Sequence, residues 1–256
     1  MSRPASTIKG RHNAHYKEWR KYAAHPEAGT CPWVPVEGWK QILDLAASHW
    51  IELLLFEDAG DPRLRTLLAR SHESCRLTRE LMSKLSAVET CQGILAFFKK
   101  PAWCWSDLTP FVLFLDGLQD PGNLGTLLRT ARATGLFSLA STRGTVSPFN
   151  AKAVRSSAAS VLSTPLLEGV DMMELKKRGY RLVATTTGQG TPLFEVNLSP
   201  PIAVALGSEG GGLGGQVLDS ADQIIHIPMH PASESLNAAV AGALILYEVY
   251  RKEVRP

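Results

Sequence analysis

Residues 111–135 read FVLFLDGLQDPGNLGTLLRTARATG, and this stretch decides the fold of the C-terminal part of the chain. FVLFL is a continuous apolar run of strand length. Pro121-Gly122 makes a turn, and Asn123 is suited to cap a helix whose buried stripe is Leu124, Leu127, Leu128 and Ala131. A strand that is apolar throughout, followed at once by a helix, belongs to a parallel sheet covered on both faces. Four further short apolar runs follow at Phe137–Ala140, Arg181–Ala184, Ile202–Leu206 and Ile224–Ile227, and segments of helical spacing separate most of them. Ligands of such sheets bind beyond the carboxyl ends of the strands, so the loops there are the places to look.

Three of these loops carry chemistry. In the first, Arg129 and Arg132 lie three apart and share a side of the helix; the competing reading is a surface helix with two solvated arginines. The second is ALGSEGGGLGG, residues 205–215. Its glycines let the backbone approach a ligand and offer main-chain N–H groups. Gly210, Gly212 and Gly215 match the dinucleotide pattern GxGxxG, but they follow the fourth strand rather than the first. Glu209 inside that loop would repel phosphates, which disfavours a pyrophosphate cradle; a flexible turn is the bland alternative. The third is IPMHPASESLNAAVAGALILY, residues 227–247. Ser233 or Ser235 can cap a helix starting near Leu236. From Ala238 to Tyr247 that helix is apolar almost all round, which predicts burial and places Asn237 in its first turn in need of a partner.

Upstream, residues 8–24 read as a basic helix and Cys31-Pro32-Trp33-Val34-Pro35 as punctuation. Helices at 38–49 and 64–69 and strands at 51–56 and 93–98 make a small α/β unit. Lys99–Thr109 has no periodicity and reads as a linker, dividing the chain into 1–104 and 105–256.

With 256 residues, 45% apolar and 20% charged, the composition is that of a globular protein of one or two domains. No apolar run is long enough to span a bilayer, and the basic start lacks the apolar core of a secretory signal, so a cytoplasmic location is expected. Cys31, Cys75, Cys91 and Cys104 form no CxxC pair, and Pro228 separates His226 from His230, so no metal site is expected. The net charge of +3 says little, but its distribution is uneven. Before Glu27 the charged residues are Arg3, Lys9, Arg11, Lys17, Arg20 and Lys21 against Glu18 alone. Between Asp120 and Glu168 all are positive: Arg129, Arg132, Arg143, Lys152 and Arg155. Two such stretches point to a polyanion surface, with a solvated basic face as the alternative.

Taken in order, NLGTLLRTARATG, ALGSEGGGL, and IPM followed by SLNAAVAGALILYE resemble the three motifs of SpoU/TrmH-class RNA 2′-O-ribose methyltransferases, within the SPOUT group. The likeness covers residues 109–256, and VSPFNAKAVRSSAASVL fits the stretch that follows the first motif. The N-terminal hundred residues, through IKGRHN, Glu37-Gly38 and ETCQGILAFF, more weakly resemble the ribosomal-protein-like α/β substrate-binding domain of such enzymes. The resemblance implies a parallel-sheet domain with a trefoil knot and S-adenosylmethionine (SAM) as cofactor. It implies cofactor contacts at Thr186, Leu206, Gly207, Ile227, Pro228, Met229 and Leu236, and a catalytic set of Asn123, Arg129, Glu209, Ser235 and Asn237. It implies a homodimer with sites completed across the interface. The expected substrate is structured RNA, ribosomal before transfer RNA, held by Lys9, Arg11, Arg132 and Arg155. Ala238-Ala239, Ala159 and Cys91 depart from common family residues without removing a polar motif group. An RNA-binding protein that has kept the fold and lost the reaction is the alternative from another class.

Overall fold

The computed structural model describes residues 6–254, and Arg3 of the basic start lies outside them. In chain order, β1 is Ser6–Ile8, α1 Ala14–Ala24, β2 Trp33–Glu37, α2 Trp39–Ala46, β3 Ile51–Phe56, α3 Leu64–Leu68, β4 Ser71–Leu77, α4 Arg79–Leu85 and β5 Ile94–Lys99. There follow β6 Phe111–Asp116, α5 Pro121–Thr134, β7 Phe137–Ser141, α6 Ala151–Ser156, β8 Leu166–Glu168 and α7 Met172–Lys177. The last are β9 Arg181–Thr186, β10 Thr191–Pro192, β11 Ile202–Gly207, α8 Gly215–Ser220, β12 Gln223–His226 and α9 Ala238–Glu253. Contacts divide them into two units: one runs to Pro101 and takes in Phe149–Leu162, and the other holds Ala102–Pro148 and Ser163–Pro256.

The first unit is a sheet in the order β1-β4-β3-β5-β2. Its β1, β4 and β3 run parallel, and β5 is antiparallel to both neighbours. Leu53, Leu55, Cys75, Leu77 and Phe97 on one face pack against Tyr16 and Trp19 of α1 and Leu81 and Met82 of α4. Three local expectations change here. The region read as a helix from residue 8 opens with β1, and the helix starts only after Asn13, whose side chain accepts from Tyr16 N–H at 3.2 Å. The Pro-rich punctuation is β2, an edge strand, where the missing N–H of Pro35 costs no interior ladder bond. β4 and α4 follow, and β4 has no apolar run to mark it in the sequence, since only Cys75 and Leu77 of SHESCRL are buried.

The second unit is a seven-stranded sheet ordered β10-β12-β9-β11-β6-β7-β8, and every pairing is parallel. All of Phe111–Leu115 is buried, as a strand covered on both faces requires. One face packs Val112, Phe114, Ala184 and Ala205 against Met172 and Leu175 of α7 and Leu213. On α9, a Cβ added at Gly242 would come within 2.3 Å of Leu127 Cδ2, so the glycine lets α9 lie close against α5.

Both helix caps differ from expectation. Asp120, not Asn123, caps α5 by accepting from Gly122 N–H at 2.6 Å, and Asn123 sits inside the first turn. Asn237, not a serine, caps α9, accepting from Ala239 and Val240 N–H at 2.9 and 3.3 Å. α9 is also not buried all round. Val240, Leu244 and Tyr247 are exposed at 49%, 37% and 52% and form a stripe at i, i+4, i+7. Among the described residues, no helix is long and apolar enough to cross a membrane.

Candidate active site

The loops after β6, β11 and β12 converge beyond the carboxyl ends of their strands. In the β6–β11 ladder Asp116 pairs with Gly207, which sets the loop before α5 beside the glycine loop. Asn123 Nδ2 then donates to Glu209 Oε1. Asn237 Nδ2 donates to Asn123 Oδ1 at 3.1 Å. A single hydrogen-bonded chain, Glu209–Asn123–Asn237, therefore ties together three segments that are 86 and 114 residues apart. Both polar atoms of the Asn123 amide are used, so its orientation is set. Asn237 serves two ends at once, because its oxygen caps α9 while its nitrogen orients Asn123.

Glu209, Ser235 and the start of α9 line a cavity of about 430 Å³. Thr186, Leu206, Gly207, Ile227, Met229 and Leu236 line it as well, whereas Pro228 is not among its lining residues. Gly210, Gly211, Gly212 and Ala238 line it too, and Thr185, Thr187, Ser208, Leu213, Leu218 and Ala241, which the sequence did not single out, complete the wall. Gly207 is required by close approach, since an added Cβ would lie 2.1 Å from the Gly212 carbonyl carbon. That approach is the tight turn in which Ser208 and Gly212 exchange backbone hydrogen bonds at 3.1 and 3.0 Å, with Gly212 at φ +64°. Ser208 Oγ also accepts from Gly211 N–H at 3.2 Å, and Asp116 accepts from Gly214 N–H at 3.0 Å. The sequence signal for Asp116 was its place as the first polar residue after FVLFL.

The chemistry of the wall selects among ligands. No Lys or Arg lines the cavity, and its one charged group is a carboxylate. A polyphosphate would be repelled there. A ligand with an adenosine-sized apolar body, hydroxyls for the threonines and a net positive centre fits both the lining and the volume, which lies in the range of small-molecule sites.

Arg129 does not join the chain of amides. It lies six residues beyond Asn123 on α5, about 120° around the helix and about 9 Å along it. It is exposed and makes no hydrogen bond or ion pair among the described residues. Arg132 is exposed in the last turn of α5. Lys9 and Arg11 are exposed ahead of α1, and Arg155 is exposed on α6 within the first unit.

The fold and this cavity define an α/β enzyme domain that takes a small ligand in the loops of a parallel sheet. Residues 110–247 match the model of the SpoU rRNA Methylase family. The chain is 30% identical over 249 residues to the 23S rRNA (guanosine(2553)-2′-O)-methyltransferase RlmP of Bacillus subtilis, covering 94% of this chain and 98% of that protein. It is 29% identical to the 23S rRNA (guanosine-2′-O-)-methyltransferase RlmB of Yersinia pestis, covering 83% of this chain and 94% of that protein. Its structure is similar to that of the SpoU methyltransferase AviRb from Streptomyces viridochromogenes in complex with AdoMet, with TM-score 0.83 and 25% identity over 95% of this chain and 99% of that one. The chain belongs to the SpoU rRNA methylase family.

Proposed function

We propose that this protein transfers the methyl group of SAM to a ribose 2′-hydroxyl of ribosomal RNA, and that it works as a homodimer. The carrying observation is the Glu209–Asn123–Asn237 chain, whose Glu209 lines a cavity free of cationic side chains. Gly207, Leu206, Ile227, Met229 and Leu236 would hold SAM, whose sulfonium supplies an electrophilic methyl. Pro228 belongs to the same loop and acts through its backbone course. The trefoil knot expected of SPOUT domains is part of the same reading. Ribosomal rather than transfer RNA is favoured because both full-length relatives carry 23S rRNA in their names; a guanosine ribose is the first target to test.

Methyl transfer needs the 2′-oxygen held in line with the methyl, and most of the rate can come from that positioning. Asn123 and Asn237, each fixed by the other, orient the ribose, and Ser235 in the cavity wall adds a hydroxyl. Glu209 holds Asn123 in register. Arg129 stabilises the developing alkoxide and grips an adjacent phosphate; a guanidinium stays protonated and is a poor base. Its distance from Asn123 within one chain favours delivery from a partner, and the exposed stripe Val240–Leu244–Tyr247, which lines a groove with Asn123, Thr126 and Asn237, is the surface on which that partner would sit. Residues 1–104 hold the RNA, with Lys9 and Arg11 on phosphates, joined by Arg132 and Arg155. A protein with this work acts in the cytoplasm.

Two measurements test this. Mapping ribose methylation in total RNA with and without the protein should show one methyl lost from ribosomal RNA; unchanged maps refute the reaction. Calorimetry should show SAM binding by both the wild type and Arg129→Ala, with methyl transfer lost only in the variant. No SAM binding by the wild type would favour an RNA-binding protein without catalysis.

A further inference from the structure

The first unit carries a side-chain group that plays no part in its core. Trp50, between α2 and β3, is 49% exposed. Its ring stacks on the His72 imidazole, with centroids 5.2 Å apart and planes 20° apart. The Arg70 guanidinium carbon lies 4.7 Å from the Trp50 ring centre. The strand register produces this meeting: Ile51 pairs with Ser71 at the start of the β3–β4 ladder, so Trp50 comes level with the Arg70–His72 pair that flanks Ser71. Arg70 is held in place by its Nε, which donates to the Ala46 carbonyl at 2.9 Å.

That bond gives Arg70 a structural duty at the end of α2, where a cation also favours the helix dipole. It does not account for a half-exposed indole held flat beside a second ring. Nor does it neutralise the guanidinium, since among the described residues neither Arg70 nor His72 has an ion-pair partner. A protein partner would call for a contiguous apolar core to the patch, and the groups against the indole here are Arg70 and His72. His72 is stacked on the indole, the Arg70 guanidinium lies over the indole ring, and the imidazole is itself exposed; an exposed ring stack carrying an uncompensated cation is what one unpaired nucleotide needs, its base stacking and its phosphate paired.

We propose that Trp50, with His72 and Arg70, is a stacking platform for an unpaired base of the RNA substrate. The proposal rests on the RNA reading above and adds, within the first unit, the place where a single-stranded segment is gripped.

The test compares full-length wild type, Trp50→Ala, Trp50→Phe and His72→Ala. Fluorescence anisotropy would give Kd for a mixed-sequence single-stranded RNA oligonucleotide and for a blunt RNA duplex of equal length. Trp50→Ala should weaken single-strand binding about ten-fold, the order of one lost base stack. Trp50→Phe should keep most of the affinity, His72→Ala should lose a few-fold, and duplex binding should move little. SAM affinity and Tm should stay at wild-type values. If Trp50→Ala unfolds, the His72→Ala comparison decides in its place. Single-strand binding equal to wild type in both alanine variants overturns the platform, as does an equal loss on duplex. Failure of the wild type to methylate ribosomal RNA would refute the reaction but not the platform, whereas unchanged Trp50→Ala binding with intact methylation refutes the platform alone.

Discussion

Asn237 Nδ2 donates to Asn123 Oδ1 at 3.1 Å, joining the cap of the last helix to the first turn of the helix that follows the interior strand β6. The same Asn237 oxygen holds Ala239 and Val240 N–H, so one side chain links helix stability to site geometry.

Those two duties can be separated. Asn237→Asp keeps a capping oxygen, improved by the helix dipole, but removes the donor to Asn123 and sets oxygen against oxygen. Asn123 cannot turn over without giving up Glu209. Tm should stay within a few degrees of wild type while methyl transfer falls by about ten- to a hundred-fold, the usual cost of misplacing a reacting group. Asn237→Ala should lose the same activity and also about 1 kcal/mol of stability. Steady-state kinetics beside thermal melts would show it; full activity in Asn237→Asp would rule out the relay.

Gly207→Ala would drive a methyl group into the Gly212 carbonyl at 2.1 Å, which only movement of the glycine loop can relieve. SAM affinity by calorimetry should fall by at least about ten-fold, since the loop forms one wall of the cavity. Wild-type affinity would mean that the cofactor sits elsewhere.

If Arg129 acts from a partner chain, the site needs a dimer. Leu244→Asp places a charge in the exposed stripe of α9. It should give a monomer in light scattering, still folded and without methyl transfer. Separately inactive Arg129→Ala and Asn123→Ala proteins, mixed and allowed to exchange subunits, should regain activity, because one site of each mixed dimer has both side chains. No recovery on mixing would place Arg129 and Asn123 in the same chain's site.

Glu248 is buried on α9 at 5% exposure. It accepts from Arg251 at 3.0 and 2.8 Å and lies 3.0 Å from Lys252 Nζ. The Arg251 hydrogen bonds hold its pKa below the ordinary glutamate value, against the opposing effect of burial. A carboxylate depressed in the folded state stabilises it above the unfolded pKa, about 4.3, and that stability is lost as pH falls through the folded value. Glu248→Gln should therefore cost about 1–2 kcal/mol near neutral pH, and the gap to wild type should close below about pH 4. Calorimetric melts between these limits check it; a gap that does not change with pH would show that the ionised form is not what matters.

The amino-acid pattern alone determined the parallel sheet, because strands covered on both faces must be apolar throughout, and FVLFL and IAVAL are. It also placed Asn123, Glu209 and Asn237 in loops that follow strands. Which residue caps each helix was decided by tertiary structure. Asp120 and Asn123, or Ser233, Ser235 and Asn237, are all chemically able to cap, and only the backbone path set by the sheet register chooses between them. The two prolines around Trp33 concealed β2, since an edge strand tolerates what a central one does not. The open stripe of α9 was likewise invisible, because an apolar helix reads the same whether its last face meets this chain or another; the separation of Arg129 from Asn123, by contrast, follows from their six-residue spacing on one helix. The hydrogen bonds that join Asn123 to Glu209 and to Asn237 bridge 86 and 114 residues, and such long-range contacts follow from packing, not from local sequence.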